Sequence, residues 1–245
     1  MVTMQIESPD NPLVKRLAKL ADGAGRRAEG LFLAEGQRLI DGLLAGGWRP
    51  VWLLVRTGES IPPHWPTQVL VEISERVCSK LSQAATASGF LAAFPLPPVP
   101  AIDAAAGGLL LAGVADPGNM GTLIRTAAAC GIRQVALAEG ADPFGPKVVQ
   151  ASAGALALVQ LHRGVTPAAL AGGAPCCALV VRDGQPPAAF ARRPRWLVVG
   201  GEAHGISPAW LAACSERLTL PMPGGTESLN AAVAGSIAAY LLCVG

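Results

Sequence analysis

The sequence predicts an α/β protein in which a parallel sheet covered by helices is preceded by a smaller α/β domain. Two observations carry that expectation. Past residue 107, short apolar runs alternate with helix-like stretches, the pattern that lays helices over the crossovers between parallel strands. Ahead of it, four prolines within Pro95–Pro100 stop any regular helix and mark a change of composition. The expected division is therefore 1–95, a linker over 96–107, and 108–245.

In the first part, Asn11–Ala21 and Glu35–Ala45 have helical character, and Val51–Val55 and Val69–Val71 have the composition of short strands. In the second, the strands expected are Leu109–Val114, Gln134–Leu137, Cys177–Val181, Trp196–Val199 and Arg217–Leu220. A helix beginning at GTLIRTAAAC ends at Gly131, and a last helix opens around Ser228. Its residues Leu229, Val233, Ile237 and Tyr240 recur at helical spacing as one apolar face.

Composition narrows the class. At 245 residues, 51% hydrophobic and 15% charged, the chain has ample apolar surface to offset ordering entropy, which excludes extended disorder. The longest apolar runs, Ala104–Ala115 and Ala231–Gly245, fall short of the roughly 18 residues of a membrane span. The start MVTMQIESPDNPLVKRL lacks the apolar centre of a secretory signal, so a cytoplasmic protein is expected. Six cysteines, at 78, 130, 176, 177, 214 and 243, form no C-x-x-C pair and no Cys/His spacing suited to zinc. They read as reduced, buried thiols, and no metal is expected.

Nineteen Lys and Arg against 17 Asp and Glu leave a net charge too small to argue for a nucleic-acid partner. Local clusters are more informative. Lys15, Arg16, Lys19, Arg26 and Arg27 face a single Asp22 in the same stretch, and Arg192, Arg193 and Arg195 precede an apolar strand. Each cluster fits either phosphate contact or a solvated surface.

Three polar, glycine-bearing segments each follow an apolar strand: ADPGNMGTLIRTA after LLLAGV, GEAHGIS after WLVVG, and PGGTESLNAAVA after RLTLPM. In open parallel sheets, ligands bind beyond the carboxyl ends of the strands, so the three segments form one candidate site. Asn119 lies at the exit of a Pro117–Gly118 turn and fits a capping or a site role. Arg125, six residues on, lies one and a half helical turns further along. Gly200, Gly201 and Gly205 allow close backbone approach to a ligand, Glu202 is the turn's carboxylate, and His204 reads as an exposed loop residue. Ser228 suits a helix N-cap, but capping alone does not explain both Ser228 and Asn230 after so irregular a loop. Neither the dinucleotide fingerprint nor the G-x-x-x-x-G-K-[ST] phosphate loop occurs.

Together, DPGNMGTLIRTA, VVGGEAHGIS and LPMPGGTESLNAAVA resemble, in order, the three signature motifs of the SpoU, or TrmH-like, RNA ribose 2′-O-methyltransferases of the SPOUT superfamily. FGPKVVQASAGAL between them also resembles that family. SPDNPLVKRLAKL and LFLAEGQRLIDGLLAGG are similar to the substrate-binding domain that many members carry, although Ser88 stands where a Gln often precedes the Gly. The resemblance implies a SPOUT-type knotted methyltransferase domain, S-adenosylmethionine as cofactor, RNA as substrate (ribosomal rather than transfer RNA) and a homodimer. It implies Arg125, Asn119, Glu202, Ser228 and Asn230 as catalytic residues, with backbone contacts to the cofactor at Gly200, Leu220 and Leu229. For Arg125 it leaves open a general base or an orienting cation. Competing readings are a transfer-RNA 2′-O-methyltransferase, a catalytically silent RNA-binding homologue and an unrelated α/β enzyme acting on a small nucleotide.

Overall fold

The computed structural model describes residues 4–84 and 86–243, with the Cys243 side chain outside the description. The chain forms two compact units: 1–97 together with 144–157, and 98–143 together with 158–245.

The first unit is built on a five-stranded mixed sheet of order β1-β4-β3-β5-β2. Its strands are β1 (Gln5–Ile6), β2 (Leu31–Glu35), β3 (Trp52–Arg56), β4 (Leu70–Ile73) and β5 (Phe90–Pro95). β5 runs antiparallel to β2 and β3, whereas the β1–β4 and β3–β4 pairs are parallel. Four helices pack on it: α1 (Pro12–Ala18), α2 (Gly23–Glu29), α3 (Gln37–Ala45) and α4 (Glu75–Leu81). The first two begin as their sequences dictate. The Asn11 side chain accepts from the Leu13 amide at 2.8 Å with Pro12 following, and Asp22 accepts from the Gly25 amide at 2.7 Å. Val14, Leu17, Leu54, Ile73, Val77 and Leu81 are buried in one cluster.

The segment 144–157, continuous in sequence with the second unit, belongs to the first. Its Phe144 ring lies 5.2 Å from Phe32, and Gly154 approaches Gly42 so closely that a Cβ there would stand 3.1 Å from the Gly42 Cα. The helix it carries is α6 (Pro146–Ser152), numbered after α5 (Pro117–Ala129), the helix that follows the second sheet's first strand.

The second unit is a six-stranded, fully parallel sheet of order β11-β9-β10-β6-β7-β8. Its strands are β6 (Gly108–Val114), β7 (Gln134–Gly140), β8 (Gln160–Arg163), β9 (Cys176–Leu179), β10 (Trp196–Gly200) and β11 (Glu216–Leu218). The helices are α5 (Pro117–Ala129), α7 (Pro167–Leu170), α8 (Pro208–Ala213) and α9 (Ala231–Cys243). The α/β class and the parallel sheet are as expected from the alternating pattern. Central strands read as continuous apolar runs because both faces are covered: Leu109, Leu110 and Leu111 of β6 are all fully buried.

From the outer strand β11 the chain returns to the middle of the sheet, where α9 packs on β10 and α5, the inward route that the expected knot requires. Gly235 makes this possible, since a Cβ there would stand 2.6 Å from Leu123 Cδ2 and 3.1 Å from Val199. Thr126 and Ser236 share a hydrogen bond of 2.8 Å across the same contact.

Three local expectations change. Helix α5 starts at Pro117, with Asp116 as its cap accepting from the Asn119 amide at 2.7 Å, so Asn119 lies in the first turn and not at a loop exit. Ser228 does not cap α9. Asn230 does, its Oδ1 accepting from the amides of Ala232 at 2.9 Å and Val233 at 3.2 Å. Third, α9 begins at Ala231, so Leu229 precedes the helix and does not share its apolar face, whose residues Val233, Ile237 and Tyr240 are 47%, 40% and 56% exposed.

Candidate active site

All strands of the second sheet run the same way, so the segments after β6, β10 and β11 emerge at one edge. At that edge β6 has a bulge centred on Gly113, whose φ of +89° favours glycine. Beside it the segment after β10 folds back on itself. Gly201 N donates to Gly205 O at 3.1 Å, and Gly205 N donates to Gly201 O at 2.9 Å. No side chain can be accommodated at Gly200 or Gly201. A Cβ on Gly200 would stand 2.3 Å from the Gly205 carbonyl carbon, and one on Gly201 would stand 2.2 Å from the Gly113 oxygen.

The hairpin aims Glu202 at the start of α5. Glu202 Oε1 accepts from Asn119 Nδ2 at 2.7 Å, Oε2 accepts from the Ala115 amide at 3.2 Å, and Asn230 Nδ2 donates to Asn119 Oδ1 at 3.1 Å. One residue from each segment thus enters a single chain, Asn230 to Asn119 to Glu202. Burial opposes ionisation of Glu202, but hydrogen bonds from the Asn119 side chain and from the amides of Glu202, Ala115 and Asp116 outweigh it, holding the carboxyl below its usual range. The N-terminus of the 13-residue α5 favours the same anionic state.

Against this chain lies a cavity of about 340 Å³, within the size range of small-ligand sites. Gly200, Leu220 and Leu229 line it, as do Glu202, Ser228 and Asn230. Six of the eight residues singled out from sequence therefore share one concavity, and Asn119 joins them through its hydrogen bonds. Arg125 does not. It is exposed on α5, outside the cavity lining, and makes no hydrogen bond or ion pair with another described residue. Sequence reasoning missed the wall formed by Leu179 at the end of β9 with Val180 and Val181 beyond it, and also Met222. These residues are the carboxyl end of the strand expected over Cys177–Val181, so their position at the ligand edge was the available signal. His204 lines an adjoining cavity beyond the hairpin.

The described cysteines 78, 130, 176, 177 and 214 are free thiols, and burial pushes Cys177 and Cys214 up to about 12, which makes them inert rather than nucleophilic.

Comparison with known proteins decides the family. Residues 108–240 match the model of the SpoU rRNA Methylase family. The chain belongs to the SpoU family. Residues 11–92 match the MRM3-like substrate binding domain, which covers most of the first unit's N-terminal stretch. A 23S rRNA (guanosine(2553)-2′-O)-methyltransferase of Bacillus subtilis is 31% identical over 97% of this SpoU chain and 98% of its own length. Among solved structures, a TrmH-family protein of Porphyromonas gingivalis, described as an RNA methyltransferase, aligns with TM-score 0.83 and 36% identity over 95% of this chain and 97% of that one. The AdoMet-bound rRNA methyltransferase of Sinorhizobium meliloti aligns with TM-score 0.85 and 26% identity over 97% and 96%.

Proposed function

We propose that the protein is an S-adenosylmethionine-dependent methyltransferase that modifies a ribose 2′-hydroxyl in ribosomal RNA. The observation that supports this most is the meeting of Asn119, Glu202 and Asn230, from three separate segments, at the mouth of an apolar-walled cavity.

The cavity suits the cofactor chemically. Leu179, Val180, Leu220 and Leu229 offer apolar surface for an adenine ring, and the glycine hairpin leaves backbone amides and carbonyls accessible where a Cβ would block them. When bound, the cofactor supplies an electrophilic methyl group on a sulfonium. The protein's task is then to hold the acceptor oxygen in line and to assist departure of its proton. Glu202, kept anionic, places negative charge beside the cavity and fixes the Asn119 amide, while Asn230 orients that amide from the other side. Arg125, exposed and free of partners among the described residues, is assigned to the acceptor strand as an orienting cation, because a guanidinium is too weak an acid to exchange protons as a base. Ser228, on the cavity wall with no capping duty, completes the polar side.

The protein works as a homodimer in this reading. Val233, Ile237, Tyr240 and Leu241 form an exposed apolar stripe on α9 that a second copy would cover. No helix of the described residues is long and apolar enough to cross a membrane. The free thiols suit a reducing cytoplasm, where ribosomal RNA is encountered.

Calorimetric titration with S-adenosylmethionine tests the assignment. Binding should be unaffected by chelator and weakened at least about tenfold by Gly200→Ala, one factor of ten corresponding to roughly 1.4 kcal/mol. No heat at millimolar cofactor would remove it.

A further inference from the structure

Strands β6, β7 and β10 begin at Gly108, Gln134 and Trp196, at the sheet edge opposite the methyl-transfer cavity. A second cavity of about 490 Å³ opens there, lined in part by Arg133, Arg192, Arg193 and Arg195. Arg195 is only 9% exposed. Its Nη2 donates to the Ala191 carbonyl at 2.6 Å, its guanidinium lies 5.0 Å from the Phe190 ring centroid, and its Nη1 has no hydrogen-bond acceptor. Glu216 pairs with Arg193 and stands 3.9 Å from Arg195 Nη1, so two cations share one carboxylate. Arg133 and Arg192, both exposed, add to a positive balance already present.

The other basic cluster is largely committed within the protein. Lys15 pairs with Asp10 at 3.1 Å, and Arg16 pairs with Glu29 at 2.9 Å. Arg26 is buried, with Nη1 donating to the Leu20 and Ala21 carbonyls, which removes it from any phosphate surface. Of the five basic side chains singled out there, only Lys19 and Arg27 are exposed without a pairing of this kind.

We propose that the arginine-lined cavity is a phosphate-binding site that holds the RNA backbone remote from the methylated ribose, an inference that rests on the RNA methyltransferase reading. A cavity of this volume is more than ten times the roughly 30 Å³ share of one water molecule, and its charges are spread along a rim instead of closing on one ion. Both features suit successive phosphates of a strand. β6 spans seven residues, about 23 Å at 3.3 Å per residue, so the two sites can be bridged only by a multi-nucleotide substrate. Arginine forks suit the task because they grip two phosphate oxygens at once.

The full-length double variant Arg133→Ala with Arg192→Ala tests this against deproteinised large-subunit ribosomal RNA, with binding measured without cofactor and turnover measured with S-adenosylmethionine. The logarithmic salt slope of RNA binding should fall by roughly one per lost contact, hence by about two, with KM for RNA raised and kcat unchanged. The paired lysine variant should recover most of the slope; failure to do so after a loss with alanine would mark the effect as structural and overturn the proposal. A slope and KM equal to wild type would also overturn it. Inorganic pyrophosphate serves as the second probe: binding that the alanine variant loses while its RNA slope stays intact would identify a small-anion site and refute the RNA assignment. A variant that loses slope in a protein inactive on every RNA would instead refute the methyltransferase reading and leave the RNA site standing.

Discussion

Asn119 Nδ2 donates to Glu202 Oε1 at 2.7 Å, joining residues 83 positions apart, and the same Asn119 accepts from Asn230 at 3.1 Å. Neither partner can be replaced without freeing a polar group at the cavity mouth. In single-turnover methylation, Asn119→Ala and Glu202→Ala should each lower the rate at least about tenfold, and the double variant should be little worse than the poorer single one, as for groups that act as a unit. Additive losses would show that the two residues act separately.

Glu202 also sets a pH dependence. Its carboxyl is held below its ordinary value of 4.5 in the folded protein, so its contribution to stability is complete above that value and disappears as pH falls through the lower folded value. The Tm deficit of Glu202→Gln should stay constant between about pH 7 and 5 and shrink in more acidic solution. Thermal melts of both proteins across that range are the check, and a deficit that grows with acidity would contradict the hydrogen-bonding seen here.

The capping of α9 separates Asn230 from Ser228. Asn230→Ala removes the cap of two amides and should cost about 1 kcal/mol in urea unfolding, whereas Ser228→Ala should leave stability within about 0.5 kcal/mol. Both should slow methylation, since both line the cavity.

How much of this was legible in the sequence depended on whether local patterns carried the information. The three segments could be placed at one edge because parallel strands share a direction, and Gly200 and Glu202 followed from that, whereas Leu220 came only with the family resemblance. β2 was not seen, because Leu31–Glu35 runs into α3 with only Gly36 between, at φ +99°, and the residues around Glu35 read as a helix start. β5 was hidden by the prolines that end and follow it: Phe90–Pro95 looks like the approach to a linker, yet it pairs with strands on both sides. The Asn230 cap could not be told from a Ser228 cap because both residues are good acceptors and only the path of the loop chooses between them. The helical spacing held for Val233, Ile237 and Tyr240 but not for Leu229, which precedes the Asn230 cap, and periodicity cannot say whether an apolar face meets its own core or another molecule.

That face yields its own expectation. Ile237→Asp, which places a charge on the exposed stripe of α9, should convert a dimer to monomers in sedimentation velocity with little change in far-ultraviolet circular dichroism. A wild-type protein that sediments as a monomer at all concentrations would dispose of the dimer.

The most direct measurement supplies radiolabelled S-adenosylmethionine and deproteinised large-subunit ribosomal RNA, then digests the RNA to nucleosides for mass spectrometry. The expected product is a nucleoside methylated on its ribose 2′-oxygen. Arg125→Ala should form it at least about a hundredfold more slowly while binding the cofactor normally, the range lost with positioned charge-stabilising groups. Label on a base, or none on RNA from any source, would contradict ribose 2′-O-methylation as the activity.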